Sequence, residues 1–471
     1  MNWKLPRRQF LATAGTAAAA TLVGECVYPW KSTLAATPLV RRDVGNMNAD
    51  DPVLVAYRKA IKAMQLLPNS NPLSWAYQGA IHWTTLPGPL LTSWDNCEHG
   101  TDFFWSWHRM YLYWFERIIR KLSGEPCWAL PYWNWAPGTE LQLPVPFRDT
   151  SSELYTVNRD AAMNSGAGTL PPGAVDLSST FTNTNFLTAN NIVQQPHGNV
   201  HVLVGGWMGA VPTAAQDPIF YLHHSNVDRL WNSWLAQGGG RTDPLLDAAW
   251  KSKTYVFFDE NGQQVKMNAC EILRASLQLN YVYECEPAEV NEYCFRRFPI
   301  WLYTRELVLR LPIPPVELNS ETSSFPIELK EIRERLSSFV ENSKETLFLE
   351  LDDVEAEKAP GIIWEVYLGL PAGTAADAKG PFFIGTVSLF GSGIRSEAHH
   401  EFKGAQFLFP LNRALKAALK ESGERLLVTF VPTGVVVEGK PTRARALSPV
   451  RIGRASLVVE RQKEQQEQEE K

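Results

Sequence analysis

The sequence predicts a mainly α core, a four-helix bundle holding a histidine-lined site, followed by a β-rich C-terminal domain. Three observations predict it. Seven of the nine histidines fall in two windows, 82–108 and 197–224, on stretches of helical periodicity. After Gly240 the texture changes to short runs of β-branched and aromatic residues. A stretch rich in Pro, Glu and Lys, 312–338, separates the two textures. With 471 residues, 45% hydrophobic and 20% charged, the chain has material for two or three globular domains and a sizeable core.

The elements follow in order. Residues 1–36 carry Pro6-Arg7-Arg8-Gln9-Phe10-Leu11 and then a weak apolar run, Ala12 to Val23. A twin arginine before a mildly hydrophobic region resembles a Tat export signal, cleaved near Ala35 or Ala36, and implies a bacterial periplasmic or secreted protein. Residues 37–245 form the core. Asp50-Asp51-Pro52 starts a helix reaching Gln65, and Asn71-Pro72 starts a second that ends near His82. Periodicity predicts a third helix from about Trp107 to Lys121, a fourth over Pro196 to Val204 and a fifth from Asp217-Pro218 through Trp234. Residues 138–190 are rich in Pro, Thr, Asn, Gly and Ser and read as loop. Residues 246–300 contain a hairpin signal at Asp259-Glu260-Asn261-Gly262. Residues 301–338 read as a connector, 339–459 as the β-rich domain, and 460–471 as a charged tail, a frayed helix or disordered.

His197 and His201 stand at i and i+4, so a helix puts both imidazoles on one face, where two rings chelate one metal ion. His223-His224 follows on the next helix, and His82, His99 and His108 offer three more rings. Sets of neutral imidazoles without a carboxylate suit copper or zinc and disfavour magnesium, manganese and the iron site of two histidines and a carboxylate. A mononuclear zinc hydrolase would leave the second trio unexplained.

Cys97-Glu98-His99, then Phe103-Phe104-Trp105-Ser106-Trp107-His108-Arg109-Met110-Tyr111, resembles the first copper half of tyrosinases and other polyphenol oxidases. His197-Gly198-Asn199-Val200-His201, with Asp217-Pro218-Ile219-Phe220-Tyr221-Leu222-His223-His224 through Trp231, is similar to their second half. The hairpin and Tyr281-Val282-Tyr283 look like the segment after the core in plant-type enzymes, and 348–432 more loosely like their C-terminal shielding domain. The resemblance implies two copper ions, one held by His82, His99 and His108, the other by His197, His201 and His224, with O2 as co-substrate. His223 then stands behind the ligands, and Asp228 hydrogen-bonds and orients their rings. Cys97 matches the cysteine that fungal-type enzymes join to the copper histidine, here His99, through a thioether; plant-type enzymes place it where this chain has Leu86. The C-terminal domain implies latency, with one side chain, not identified by sequence, over the metals. A small phenol and a copper-delivery protein are the expected partners.

Val211, Gly198 and Val202 are expected to line the phenol pocket. Val211 is small where many catechol oxidases carry Phe, which opens the entrance to monophenols. Gly198 replaces the Asn of many strong tyrosinases, and the window before His197, TANNIVQQP, lacks the Glu that helps deprotonate a phenol. Asn190, Asn191, Gln194 and Gln195 offer only amides there. Diphenol oxidation is therefore the firmer expectation, with a catechol oxidase, an o-aminophenol oxidase and a haemocyanin-like O2 carrier as alternatives. Trp105, Trp107, Tyr111 and Trp114 are read as core packing, Arg109 and Arg229 as ion-pair residues, and His399-His400 as a solvated pair. The net charge of -5 gives no support for a nucleic-acid partner, and no apolar run reaches the roughly 18 residues of a membrane span. A disulfide among Cys270, Cys285 and Cys294 is left open.

Overall fold

A computed structural model describes residues 38–84, 91, 93–136, 140–284, 301–313, 316–341, 345–395, 404–442 and 445–464. The export signal, Leu86, Cys285, Cys294, His399 and His400 lie outside the described residues.

Five long helices build the core: Pro52–Gln65, Trp75–His82, Phe104–Ser123, Gln194–Val204 and Ile219–Ala236. Local chemistry fixes their ends. Asp51 accepts from the Val53 amide ahead of Pro52, and Ser74 accepts from the Tyr77 amide. The third helix stops at Gly124, whose φ of 77° suits glycine. It starts earlier than its periodicity suggests, because Asn190 Oδ1 accepts from the Trp105 amide and caps it from a distant part of the chain. The stretch expected as loop, 138–190, holds the short helices Ala161–Ser165 and Ser178–Thr182, and Phe186–Ile192 begins within it. Asp160 caps the first of these through the Ala162 and Met163 amides. The strands Thr254–Phe258 and Gln264–Asn268 pair as the expected hairpin. Tyr281–Tyr283 runs parallel to Leu39–Arg41 and closes the core. Trp105, Trp107, Tyr111 and Trp114 are buried in the core cluster.

The C-terminal part is a sandwich of antiparallel sheets around its own apolar core. One sheet orders Phe383–Val387, Ile363–Leu368, Arg425–Thr433 and Ser323–Glu328; the other Ala405–Pro410, Glu345–Glu355, Val450–Glu464 and Trp301–Leu311, with Val316–Leu318 beside Val450–Glu464. Two expectations are corrected here. Residues 301–338 are not a connector: they supply strands to both sheets and the helix Arg333–Glu341. The tail is not frayed from Glu460, because strand pairing with Trp301–Leu311 carries Val450–Glu464 through to Glu464. Partner strands supply the backbone hydrogen bonds that the polar side chains there do not advertise. Among the described residues no helix is long and apolar enough to cross a membrane.

The sandwich docks on the core through mixed contacts. Ile192 packs with Phe348, Leu408 and Val458. Glu460 accepts from Thr188 Oγ1 at 2.6 Å and Asn185 Nδ2 at 3.0 Å. Gly168–Thr169 pairs with Val436–Val437 across the boundary. Asn199, on the Gln194–Val204 helix, donates to Thr386 Oγ1 at 2.7 Å.

Candidate metal centre

The helices bring rings from both sequence windows to one place. His82 ends the Trp75–His82 helix, His108 lies one turn into Phe104–Ser123, and His99 comes from the loop between. His197 and His201 share a face of Gln194–Val204, and their ring centroids stand 4.7 Å apart. His224 projects from Ile219–Ala236 and stacks on His108 at 4.2 Å and 9°. His99 and His197 meet across the two halves at 5.6 Å.

These rings are prepared as ligands rather than as hydrogen-bonded core residues. Phe104 O accepts from His108 Nδ1 at 2.8 Å, and Met208 O accepts from His201 Nδ1 at 2.9 Å, so in both the Nε2 lone pair is the free one. The Nε2 atoms of His99 and His108 and both ring nitrogens of His82 are buried without a hydrogen-bond partner. His224 Nε2 lies 3.4 Å from His197 Nε2 and 3.2 Å from His201 Nε2. Unpartnered nitrogens facing each other in an apolar cage fit convergence on cations and little else. Burial, and then the neighbouring rings, push His82, His108, His197, His201 and His224 well below the usual imidazole range; burial alone brings His99 to about 3. The imidazoles are thus neutral and their lone pairs available. Such all-nitrogen donor sets fit copper, with two groups of at least three ring nitrogens sharing His224.

Around the rings the walls are aromatic. Phe220 lies 4.8 Å from His82 and 4.3 Å from His224, and Phe104 lies 4.7 Å from both His108 and His197. Behind the centre sits a closed ionic node with no exposure. Asp228 pairs with Arg109 and, at 3.1 Å, with Arg41; Arg41 also reaches Glu116 at 2.8 Å. Tyr281 and Tyr283 donate to Asp228 Oδ2 at 2.5 and 2.6 Å. Burial by itself would raise the Asp228 carboxyl, but Arg109 and Arg41 hold it below the usual carboxylate range. The expectation for Asp228 is therefore corrected: it orients no imidazole by hydrogen bonding, because the arginines and tyrosines take its oxygens. Arg109 is the ion-pair residue expected; Arg229 donates to Asn226 and Asn134 and lies over Tyr132.

Of the expected pocket residues, Gly198 faces the covering sandwich. Val211 is buried at the start of the short Val211–Ala214 helix, and its carbonyl approaches the His82 ring. Val202 is buried in the core cluster. A Cβ on Gly198 would stand 3.3 Å from Phe390 Cβ and 3.4 Å from Ser388 Oγ. Phe390, from the sandwich, stacks on His201 at 3.8 Å and 8°, and stands 5.5 Å from His99 and 5.6 Å from His197. Sequence reasoning did not find it. The signal available was Phe390-Gly391-Ser392-Gly393: Gly391 has φ of 82°, and a Cβ there would come within 2.6 Å of His99. Cys97 Sγ lies 3.3 Å from His99 Nδ1. Cys270 is disulfide-bonded.

Three family models match the chain: "Common central domain of tyrosinase" over 72–186 and 169–237, "Polyphenol oxidase middle domain" over 245–293, and "Domain of unknown function (DUF7868)" over 315–460. A latent-form chloroplastic polyphenol oxidase of Prunus armeniaca is 29% identical over 81% of this chain and 71% of its own length. A tyrosinase of Hahella sp. is 35% identical over 50% of this chain and 61% of its own length. Aureusidin synthase of Antirrhinum majus is 30% identical over 50% of each. The solved structure of latent apple tyrosinase aligns over 92% of this chain and 99% of that chain, with a TM-score of 0.64 and 22% identity, a likeness of fold.

Proposed function

The chain belongs to the tyrosinase and polyphenol oxidase family, and on that premise we propose a two-copper phenol oxidase that turns o-diphenols into o-quinones and hydroxylates monophenols more weakly. The observation that carries this reading is the set of six imidazoles, His82, His99, His108, His197, His201 and His224, which converge in an aromatic cage with nitrogens of His82, His99 and His108 unpartnered and those of His197, His201 and His224 facing one another at 3.2 to 3.4 Å. Copper, when bound there, supplies the O2 chemistry: two o-diphenols become two o-quinones as one O2 is reduced to two waters. The chain's own residues hold the ions and keep water out through Phe104, Phe220 and Trp107. Metal analysis and oxygen uptake on L-DOPA and L-tyrosine test it. Fewer than about two coppers per chain, or oxygen binding without quinone on either substrate, would overturn it.

The preference for diphenols has its own support. Asn190 caps the Phe104–Ser123 helix, Gln194 accepts from the Gly100 amide at 2.6 Å, and Gln195 donates to Leu408 O. These amides are spent on structure, which leaves no carboxylate before His197 to activate a phenol. The stacking of Phe390, a sandwich residue, on the His201 ring supports latency in the full chain. The position of Cys97 Sγ supports the thioether to His99. Forming that S–C bond removes the thiol and ring hydrogens with two electrons, which O2 takes. Export through the twin-arginine segment accords with the Cys270 disulfide, since disulfides persist in oxidising compartments.

A further inference from the structure

Seven buried imidazoles, not six, converge on the cage. We propose that His223 is a copper-loading ligand: it completes a three-imidazole site with His197 and His201 while His224 serves the first half, and yields to His224 once both ions are in place. The inference rests on the two-copper reading above.

The geometry carries it. Ring nitrogens of His197, His201, His223 and His224 all lie within 4.8 Å of one another. The His223 ring stacks on His197 at 5.1 Å and 17°, and stands edge-on to His201 at 4.6 Å. His224 also belongs to a second group, with His82 and His108. Its Nε2 lone pair serves one ion at a time, so whenever it serves the first half, the second half keeps only His197 and His201 of its assigned ligands. His223 fills that vacancy. Successive helix residues point about 100° apart, and both rings already reach the cage, so the exchange needs rotations of side chains and no movement of the helix.

His223 shares the state of His82, an assigned ligand: both ring nitrogens of each are buried without a hydrogen-bond partner. His223 is fully buried, and the Trp135 ring stands 5.6 Å away. A buried imidazole in that state carries a desolvation cost that a cation relieves.

Copper titration of the copper-free full chain tests this, comparing the natural protein with His223→Gln, His224→Gln and the double variant. His224→Gln should still load two coppers, the second held about 10-fold more weakly, the size expected for loss of a ligand-supporting group. The double variant should load one. The nitrogen hyperfine pattern of the second-half Cu(II) should count three imidazoles in His224→Gln and two or no bound ion in the double variant. Identical stoichiometry and hyperfine pattern in those two variants would overturn the proposal. Thermal melting of each copper-free variant checks folding; if the double variant does not fold, the uptake rate of the second ion decides. Uptake slowed several-fold in His223→Gln supports the role, and an unchanged rate overturns it. Fewer than two coppers in the natural protein would instead defeat the parent reading.

Discussion

The two halves of the cage hold the same kind of ring by different means. In the second half, His197 and His201 are placed by helix spacing, with the Met208 carbonyl orienting the His201 ring, and His224 by the next helix. The first half includes a loop ligand. His99 owes its place to polar ties: Glu98 accepts from Thr101 Oγ1 at 2.8 Å, Tyr255 OH at 2.7 Å and Lys253 Nζ at 2.6 Å, while Gln194 holds the Gly100 amide. His99 is only half-buried as a residue, although its Nε2 is enclosed, whereas His197, His201 and His224 are wholly buried. Helix geometry brings the ligands together and leaves at most one nearby carbonyl to orient each ring. A loop ligand needs clamps, and each clamp is a place where the two halves can be told apart.

The largest expected effect erases the distinction. Asp228 joins the helix of His108, through Arg109, to its own helix, which carries His224. Asp228→Ala leaves Arg109 buried without its carboxylate and Arg41 with Glu116 alone, and should cost about 3–5 kcal/mol of stability, read by denaturant unfolding, with both coppers weakened together. Loss confined to one half would break the picture of a shared node. The sign of the pH dependence follows from the depressed folded pKa: the contribution is complete above the ordinary carboxylate value of about 4 and is lost as pH falls below it towards the folded value. Asp228→Asn should remove that part of the acid sensitivity.

Cys97→Ser comes next and should separate the halves. The natural protein is expected to be about 2 Da lighter than its sequence once crosslinked, and the variant should show no such deficit. First-half copper affinity should fall about 10-fold while the second half is unchanged. Equal loss in both halves would deny the brace its local role.

Phe390→Ala acts on the covered second half. Removing the stacked ring forfeits roughly 0.5–1.5 kcal/mol of aromatic contact, so oxidation of L-DOPA by the uncleaved chain should rise about 3–10-fold. An unchanged rate would mean that the sandwich, not this side chain, closes the site.

What was legible in the sequence follows the same division. His197 and His201 could be read because a helix turns spacing into proximity, and the hairpin at Gly262 because its turn chemistry is local. Phe390 could not: its partner His201 is far away in the chain, and only the flanking glycines hint at a close approach. Asp228 was misread for a related reason. Its neighbour His224 is visible in sequence, but Arg41, which claims its carboxylate, lies 187 positions away. Trp301–Leu311 was hidden by the Pro- and Glu-rich residues after it, and by a bulge near Val308 that breaks its alternation. The run Glu460 to Glu464 gave no strand signal, since its strand state comes from pairing with Trp301–Leu311, joined by Glu345–Glu355 only as far as Arg461.

The smallest effect is the finest test of the clamp. Glu98→Gln keeps the size of the side chain and removes its charge. Burial, and then the adjacent Glu98 carboxylate, push the Tyr255 hydroxyl upward, so it stays a donor; Lys253 is a donor as well. An amide offers one acceptor oxygen where the carboxylate offers two, and would turn a donor towards one of the three. Losing a hydrogen bond of about 1 kcal/mol should loosen the first-half copper by about fivefold and lower the fraction of chains that gain the Cys97 crosslink. The second-half copper should hold. Lys253→Met, which removes one donor and leaves the carboxylate, should give a smaller loss of the same kind, because Lys253 is partly exposed and its ion pair is screened. Chelator competition and intact mass read both quantities on the same sample. If copper loosens while crosslinking is unaffected, Glu98 places the imidazole but not the thiol; if neither moves, the loop is held by its packing on Gly391 and by Gln194 instead.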